Sequence, residues 1–261
     1  MRGIGVNLFS LRTMIKTEDD FLATSVALRE MGYDCVQFSG APFDAEMIKR
    51  VSEKSGIRTV VTHVPYDRIL NDTDRLMSEH ESFGCYNIGL GSLPREIIPD
   101  ESACLSAIEA LGKVAEKMAE RGFKFFYHNH HTDCYRIGEK TILDRLIDIS
   151  PKMNFILDTY WLQYGGLDVI DYTRRLSGRI ECVHLKDYKI IAKTSEDGQV
   201  TFAPIYAPVG SGNLDFKRII PVMRESGTKY LLVEQDNAVS FPNPLDEVKS
   251  SIDYLTRENL I

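Results

Sequence analysis

The sequence predicts a single (β/α)8 barrel over residues 1–261, and three observations lead to that fold class. Eight short apolar runs recur along the chain and alternate with longer amphipathic segments. Several of the amphipathic segments end in glycine a few residues before the next apolar run, as αβ connections do. The length of 261 residues is also sufficient for eight such units.

The apolar runs are rich in Val, Ile, Phe and Tyr, which is typical of buried parallel strands. We expect strands at residues 4–9, 35–38, 59–64, 87–91, 124–129, 154–158, 181–186 and 230–234. We expect helices at residues 17–31, 44–55, 72–83, 101–121, 139–149, 168–176, 214–226 and 244–257. An open doubly wound sheet is the alternative, but residues 10–13 lack the glycines of a dinucleotide-binding loop after the first strand.

The segment 188–213 breaks this alternation, because it is long, polar and rich in glycine and proline. It follows the seventh predicted strand. Long loops after barrel strands lie over the active face, so we expect this segment to cover part of the site.

Composition excludes several classes of partner. With 31 basic and 38 acidic residues, the chain carries no broad positive field for nucleic acid or an anionic membrane. Five widely spaced cysteines without a CxxC pair indicate reduced thiols. There is no leader-like segment at the start and no apolar run of membrane-spanning length. We therefore expect a cytoplasmic protein with no nucleic-acid or membrane partner.

Polar side chains gather at the carboxyl ends of the predicted strands, where barrels build their chemistry. Asp158, His184 and Glu234 end three consecutive strands at the same depth, so their side chains should converge on the barrel axis. His128 holds the corresponding place on the fifth strand. Carboxylates and imidazoles together suit one divalent metal ion, which would be Mn²⁺, Zn²⁺, Co²⁺, Fe²⁺ or Mg²⁺.

Each of these residues also has an ordinary structural interpretation. Asp158 is placed to cap a helix, and Glu234 is placed to form a buried ion pair with Lys186. A histidine at a strand end is often only hydrogen-bonded. The joint occurrence of all these residues on adjacent strands favours the metal site.

Four ordered motifs make the chain resemble the sugar phosphate isomerase/epimerase superfamily, the xylose isomerase-like TIM barrels. Residues 127–130 read YHNH, 157–161 read LDTYW, 184–187 read HLKD and 233–236 read VEQD. The resemblance implies one metal held by Glu, Asp, His and Glu from strands five to eight. This chain departs from that set at the first ligand, where His128 replaces Glu, and Asp133 is a second candidate for the missing ligand.

The activity implied by the resemblance is isomerisation or epimerisation of a small sugar or keto-sugar, phosphorylated or not. The proton next to a carbonyl is removed and the metal stabilises the enediolate. Glu234, His128 and Lys186 are the expected proton carriers, with the pKa of Lys186 lowered. The residues expected to bind substrate are Asn7, Gln37, His63, His130, Trp161 and Lys186.

Three other functions remain open at this point. The same site would act as a lyase or dehydratase on a keto-sugar or inosose if the returned proton went to a leaving group. An apurinic-site endonuclease would need more ligands than the strand ends supply. A sugar-binding protein without turnover would keep the ligands and lack the base. A phosphate clamp would have to come from Arg12, Arg68 or Arg95, and homo-oligomer formation is left open.

Overall fold

The predicted barrel is present in the computed structural model, which describes residues 3–261. Eight parallel strands close into one ring in sequence order, with the first strand paired to both the second and the last. The barrel strands are β1 (Ile4–Asn7), β2 (Cys35–Phe38), β3 (Arg58–His63), β4 (Asn87–Leu90), β5 (Lys124–His128), β6 (Met153–Asp158), β7 (Cys182–Leu185) and β8 (Tyr230–Val233).

Helices connect the strands and cover the outside of the ring. Within residues 3–261 none of them combines the length and the apolar character needed to cross a membrane. They are α1 (Glu18–Met31), α2 (Ala45–Ser55), α3 (Tyr66–Asn71), α4 (Thr73–Ser82), α5 (Glu101–Glu120), α6 (Ile142–Ile149), α7 (Thr159–Tyr164), α8 (Val169–Arg175), α9 (Phe216–Glu225) and α10 (Pro244–Arg257).

Two apolar layers hold the ring in place. A small layer fills the barrel interior and includes Val61, Phe126, Ile156 and Leu232, each of them 0% exposed. A larger layer lies between the strands and the helices. Complete burial of such a side chain contributes about 1.5–3 kcal/mol, so the strands that carry the site are firmly fixed.

Side-chain caps explain where the predicted elements end. The first strand stops at Asn7 because its side-chain oxygen accepts a hydrogen bond from the Phe9 N–H and begins a 3-10 helix. The sixth helix starts at Ile142 because Thr141 and Asp144 form a capping box there. Helix α3 was not predicted from the sequence.

The segment expected as a polar loop is mostly a β-hairpin. Asp187–Thr194 pairs antiparallel with Val200–Ala207, and their register joins Tyr188 to Tyr206. The two strands show no regular alternation of apolar and polar residues, so the sequence pattern indicated no strand there. Its base does reach the carboxyl end of the barrel, because Tyr206 lines a cavity there.

One buried carboxylate anchors the chain that leaves this hairpin. The side chain of Asp187 accepts hydrogen bonds from the backbone N–H groups of Tyr188 (2.8 Å), Gly210 (3.0 Å), Gly212 (3.0 Å) and Leu214 (3.2 Å). A carboxylate that accepts several backbone N–H bonds holds a loop firmly.

We predict that Gly210→Ala destabilises the protein more than Gly56→Ala. Both glycines have positive φ (+83° and +69°), but an added Cβ would lie 2.3 Å from ring atoms of Tyr254 at Gly210 and within 4 Å of nothing at Gly56. The free energy of unfolding should fall by about 1 kcal/mol at Gly56 and by about 2–4 kcal/mol at Gly210. Urea unfolding measures both, and equal losses would contradict the packing argument.

Candidate metal centre in the barrel mouth

The structure brings four of the predicted residues together at the carboxyl end of the ring. His128 ends β5, Asp158 ends β6, His184 lies in β7 and Glu234 directly follows β8. All four are buried, and one ligand atom from each lies within 4.8 Å of the others. The parallel register explains the convergence, because Asp158 stands opposite His184 and neighbouring strands end at the same level.

His184 lies at the centre of this group. Its Nδ1 is 2.6 Å from Glu234 Oε2, 3.0 Å from His128 Nε2 and 3.7 Å from Asp158 Oδ2. Glu234 Oε2 is buried and has no hydrogen-bond partner of acceptable geometry among the described residues. Several ligand atoms thus face one another at short range, which is a suitable arrangement for a shared cation.

Groups behind the two histidines fix which nitrogen faces the cluster. Gln37 Oε1 accepts a hydrogen bond from His184 Nε2 at 2.8 Å, so the ring would present the lone pair of Nδ1 whenever Nδ1 carries no proton. His128 makes a backbone hydrogen bond with Gly91, which leaves its Nε2 toward the cluster. Such outer partners orient the imidazole ligands of metal sites.

The two carboxylates of the cluster also favour a positive charge between them. Burial lowers the pKa of His184, but the carboxylates of Glu234 and Asp158 outweigh it and raise that pKa to about 9. Burial and the neighbouring imidazoles lower the pKa of His128 well below its usual range, so that ring is neutral. A proton on His184, or a divalent cation in its place, balances the two carboxylates.

Asp158 caps a helix, as its position suggested, and its second oxygen faces the cluster. Its Oδ1 accepts a hydrogen bond from the Trp161 N–H at 2.9 Å and caps α7. Its Oδ2 points toward the cluster, 3.4 Å from His128 Nε2. The Asn129 side chain fixes the same residue from behind by accepting the Asp158 N–H at 2.9 Å. Capping therefore leaves the other oxygen available as a ligand.

Lys186 is buried beside the cluster and is surrounded by carboxylates. Its Nζ lies 2.7 Å from Asp236 Oδ1 and 3.8 Å from both Glu234 Oε1 and Asp158 Oδ2. Burial lowers its pKa, but the carboxylates of Glu234, Asp158 and Asp236 raise it above the usual range. The expectation of a lowered pKa for Lys186 is therefore wrong, because three anions lie within 4 Å of the ammonium.

A cavity of about 430 Å³ opens above the cluster, and most of the predicted substrate-binding residues line it. Asn7, His63, His130, Trp161 and Lys186 are among its walls. Three buried ring nitrogens there, His63 Nε2, His130 Nδ1 and Trp161 Nε1, have no partner among the described residues and are free to bind hydroxyl groups. Gln37 is 0% exposed and lies behind His184 rather than on the cavity.

Asp236 and Tyr206 are among the wall residues that the sequence did not predict. Asp236 was visible as the end of the VEQD run and holds Lys186. No sequence pattern indicated Tyr206, because it lies on the second strand of the hairpin (Val200–Ala207), and the hairpin was not predicted. The centroid of the Tyr206 ring lies 5.0 Å from Lys186 Nζ, and the Trp161 centroid lies 4.9 Å from the same atom.

Asp133, the second candidate for the missing ligand, is used elsewhere. Its Oδ1 accepts a hydrogen bond from the Tyr127 hydroxyl at 2.7 Å, and its Oδ2 accepts one from the His130 N–H at 2.7 Å. It is fully buried and does not belong to the four-residue cluster. The structure thus favours His128 over Asp133 as the fourth ligand.

We predict that Asp133 makes the protein less stable as the pH rises. Burial raises its pKa to about 7 against opposing hydrogen bonds from His130 and Tyr127. Between about pH 4 and 7 the folded state keeps a proton that the unfolded state releases, so the free energy of unfolding falls with pH, by on the order of 4 kcal/mol in total. Urea unfolding from pH 4 to 7 should show a smaller decline for Asp133→Asn, and an unchanged slope would contradict this.

Comparisons with known proteins agree with the fold. The sequence profile described as the xylose isomerase-like TIM barrel matches residues 26–258. An inosose dehydratase of Clostridium perfringens is 23% identical over 248 residues, which cover 82% of this chain and 81% of the relative.

Solved structures share the architecture at low identity. A sugar phosphate isomerase/epimerase of Parabacteroides distasonis superposes with a TM-score of 0.79 at 19% identity, with both chains covered completely. An L-ribulose 3-epimerase gives 0.67 at 16% identity and covers 99% of this chain and 94% of its own. The profile match spans most of the chain, and the protein therefore belongs to the xylose isomerase-like TIM barrel family.

Proposed function

We propose that this protein is a divalent-metal-dependent enzyme that removes the proton next to the ketone of a small sugar-like substrate. The observation that carries the proposal is the buried cluster of His128, Asp158, His184 and Glu234 at the floor of a cavity with unpartnered polar atoms. Such atoms suit a substrate rich in hydroxyl groups. Relatives that are named dehydratases or epimerases of polyhydroxylated compounds support this substrate class.

The four clustered residues would hold one cation, since two carboxylate oxygens and two imidazole nitrogens suit several divalent metals. When bound, that ion polarises a substrate carbonyl and stabilises the negative charge that develops as the neighbouring proton leaves. Gln37 is a positioning residue in this proposal, because it fixes the tautomer of His184.

Glu234 is the proposed base. Its Oε2 faces His184 at 2.6 Å, and its Oε1 lies 3.8 Å from Lys186 Nζ on the cavity side. Lys186 is the proposed acid, because the surrounding carboxylates keep it protonated. His128 has both ring nitrogens engaged, one by Gly91 and one by the cluster, so we assign it to ligation rather than proton transfer.

The arrangement of acid and base favours some reactions over others. Glu234 and Lys186 lie next to each other, so a proton removed by one group is returned from the same side of the substrate. Transfer to a leaving hydroxyl gives loss of water, and the inosose dehydratase relative supports this dehydratase reaction as our first candidate.

Isomerisation or epimerisation is the second candidate. Glu234 and Lys186 are close enough to move a proton between adjacent atoms of a ketose, which would be an isomerisation. Epimerisation needs a second donor on the opposite side, and burial lowers the pKa values of His63 and His130 well below the usual range. The geometry thus favours isomerisation over epimerisation within this second class.

The reaction is tested by deuterium exchange. We would incubate the protein with Mn²⁺ in D₂O and a panel of ketones: an inosose and ketopentoses, each with and without a phosphate or carboxylate group. At least one should exchange the hydrogen next to its carbonyl or lose water, which NMR detects. Glu234→Gln should reduce the rate by about 10²–10⁴-fold because it removes the base. Glu181→Gln, at the other end of β7, is the matched control and should keep the rate. Metal-loaded protein that neither exchanges hydrogen nor forms product with any of these ketones would refute the proposal.

The metal site is tested separately through Gln37. Gln37→Leu removes the acceptor behind His184 and should weaken binding of Mn²⁺ or Zn²⁺ by about 10–100-fold. Gln37→Glu keeps an acceptor oxygen and should retain binding within a few fold. Calorimetric titration of the chelator-treated protein measures both. Unchanged affinity in Gln37→Leu would remove the positioning role.

A further inference from the structure

Of the three arginines that follow strand ends, two are already engaged. Arg12 Nη1 donates hydrogen bonds to the carbonyls of Phe9 (2.8 Å) and Asp236 (3.0 Å), so it fixes the loop after β8. Arg68 forms ion pairs with Asp72 (2.8 Å) and Glu79 (2.9 Å). Neither guanidinium is available to a ligand.

Arg95 differs from both. It lies after β4 and lines the cavity above the cluster, and its guanidinium makes no hydrogen bond or ion pair with any residue among 3–261. The other cation in the cavity wall is Lys186, whose charge is balanced by Asp236, Glu234 and Asp158. An anion entering the cavity would therefore find one uncompensated cation, and that is Arg95.

The remaining wall residues divide into an acidic part and a part that donates hydrogen bonds. Glu234 and Asp236 lie around Lys186. The wall also holds the buried Trp161 Nε1–H, which has no partner among the described residues, and the side chain of Ser92. An anionic group would be repelled by the carboxylates and attracted by the guanidinium, which binds carboxylate or phosphate through two parallel hydrogen bonds.

We infer that Arg95 is a specificity-determining residue, and that the substrate carries an anionic group, a carboxylate or a phosphate, which this guanidinium binds at the cavity mouth. The inference rests on the proposed function, because it concerns the substrate of the same cavity. Binding to Arg95 would orient the substrate. Its anionic group would lie near the loop after β4, and its hydroxylated carbons would lie over the ligand cluster.

Ligand binding can be measured without turnover. Trp161 is the single tryptophan of the chain and lines the same cavity, so its fluorescence reports binding there. Glucose 6-phosphate and glucuronate serve as anionic probes, and glucose serves as the neutral probe. The unaltered protein should bind at least one anionic sugar about tenfold or more tightly than glucose, and added salt should weaken that preference. The two anionic probes distinguish a phosphate from a carboxylate subsite.

Arg95→Gln should abolish the preference and leave glucose binding within twofold. Arg95→Lys should keep part of it, because lysine retains the charge and loses the paired donors. Arg75→Gln, on an exposed arginine paired with Glu79 outside this cavity, is the matched control and should change nothing. Equal affinity for all three sugars in the unaltered protein, or a preference that survives Arg95→Gln, would overturn the inference.

A metal ion could also attract the anionic probes, so the titrations are made on chelator-treated and on Mn²⁺-loaded protein. A preference that appears only with Mn²⁺ and is independent of Arg95 would overturn the inference. An Arg95-dependent preference in protein that catalyses no deuterium exchange would support the subsite and count against the proposed reaction alone. Deuterium exchange without any preference for an anionic sugar would support the proposed reaction and overturn the subsite at Arg95.

Discussion

The constraint on which the site depends is the negative charge that Asp158 and Glu234 bring into the buried mouth of the barrel. Removing a carboxylate from water costs several kcal/mol unless a positive partner or hydrogen bonds compensate. Here the compensation comes from Lys186 and from His184, whose pKa rises to about 9 because of these carboxylates. A divalent cation among the four ligand atoms would supply the same compensation more completely. The positions of the base, the proposed acid and the ligands therefore follow from one electrostatic requirement.

The barrel meets this requirement through hydrogen bonds from behind the cluster as well as through the cluster itself. Gln37 from β2 orients His184, the loop after β4 orients His128 through Gly91, and Asn129 holds the backbone of Asp158. These hydrogen-bonding groups come from the carboxyl ends of different strands, which the closed barrel places at the same height along its axis. Imidazole orientation is decided by such partners. A fold that fixes all its strand ends together thus fixes the ligand atoms with them.

Much of this was predictable from the sequence, because alternating apolar runs define strands and parallel strands end at one face. That rule alone places Asp158, His184 and Glu234 together. Gln37 was assigned to substrate binding, although it lies behind His184, because alternation along a strand does not show which polar side chain reaches the cavity. The register of β2 against β3 also shifts between Val36 and Gln37, which alternation alone does not reveal. The pKa of Lys186 was misjudged because its direction depends on distances to three carboxylates from different strands.

The two sides of the cavity differ in the charge of the groups that line them, and the proposed function depends on this difference. An anionic base and a protonated amine lie together near β8, whereas burial keeps the imidazoles of His63 and His130 neutral. Where related barrels place a carboxylate on β5, as the resemblance implies, this chain has a histidine that is neutral and engaged on both nitrogens. The proposed proton transfer therefore does not use a carboxylate on β5. In the proposed function, one carboxylate instead removes a proton and a neighbouring acid delivers one on the same side.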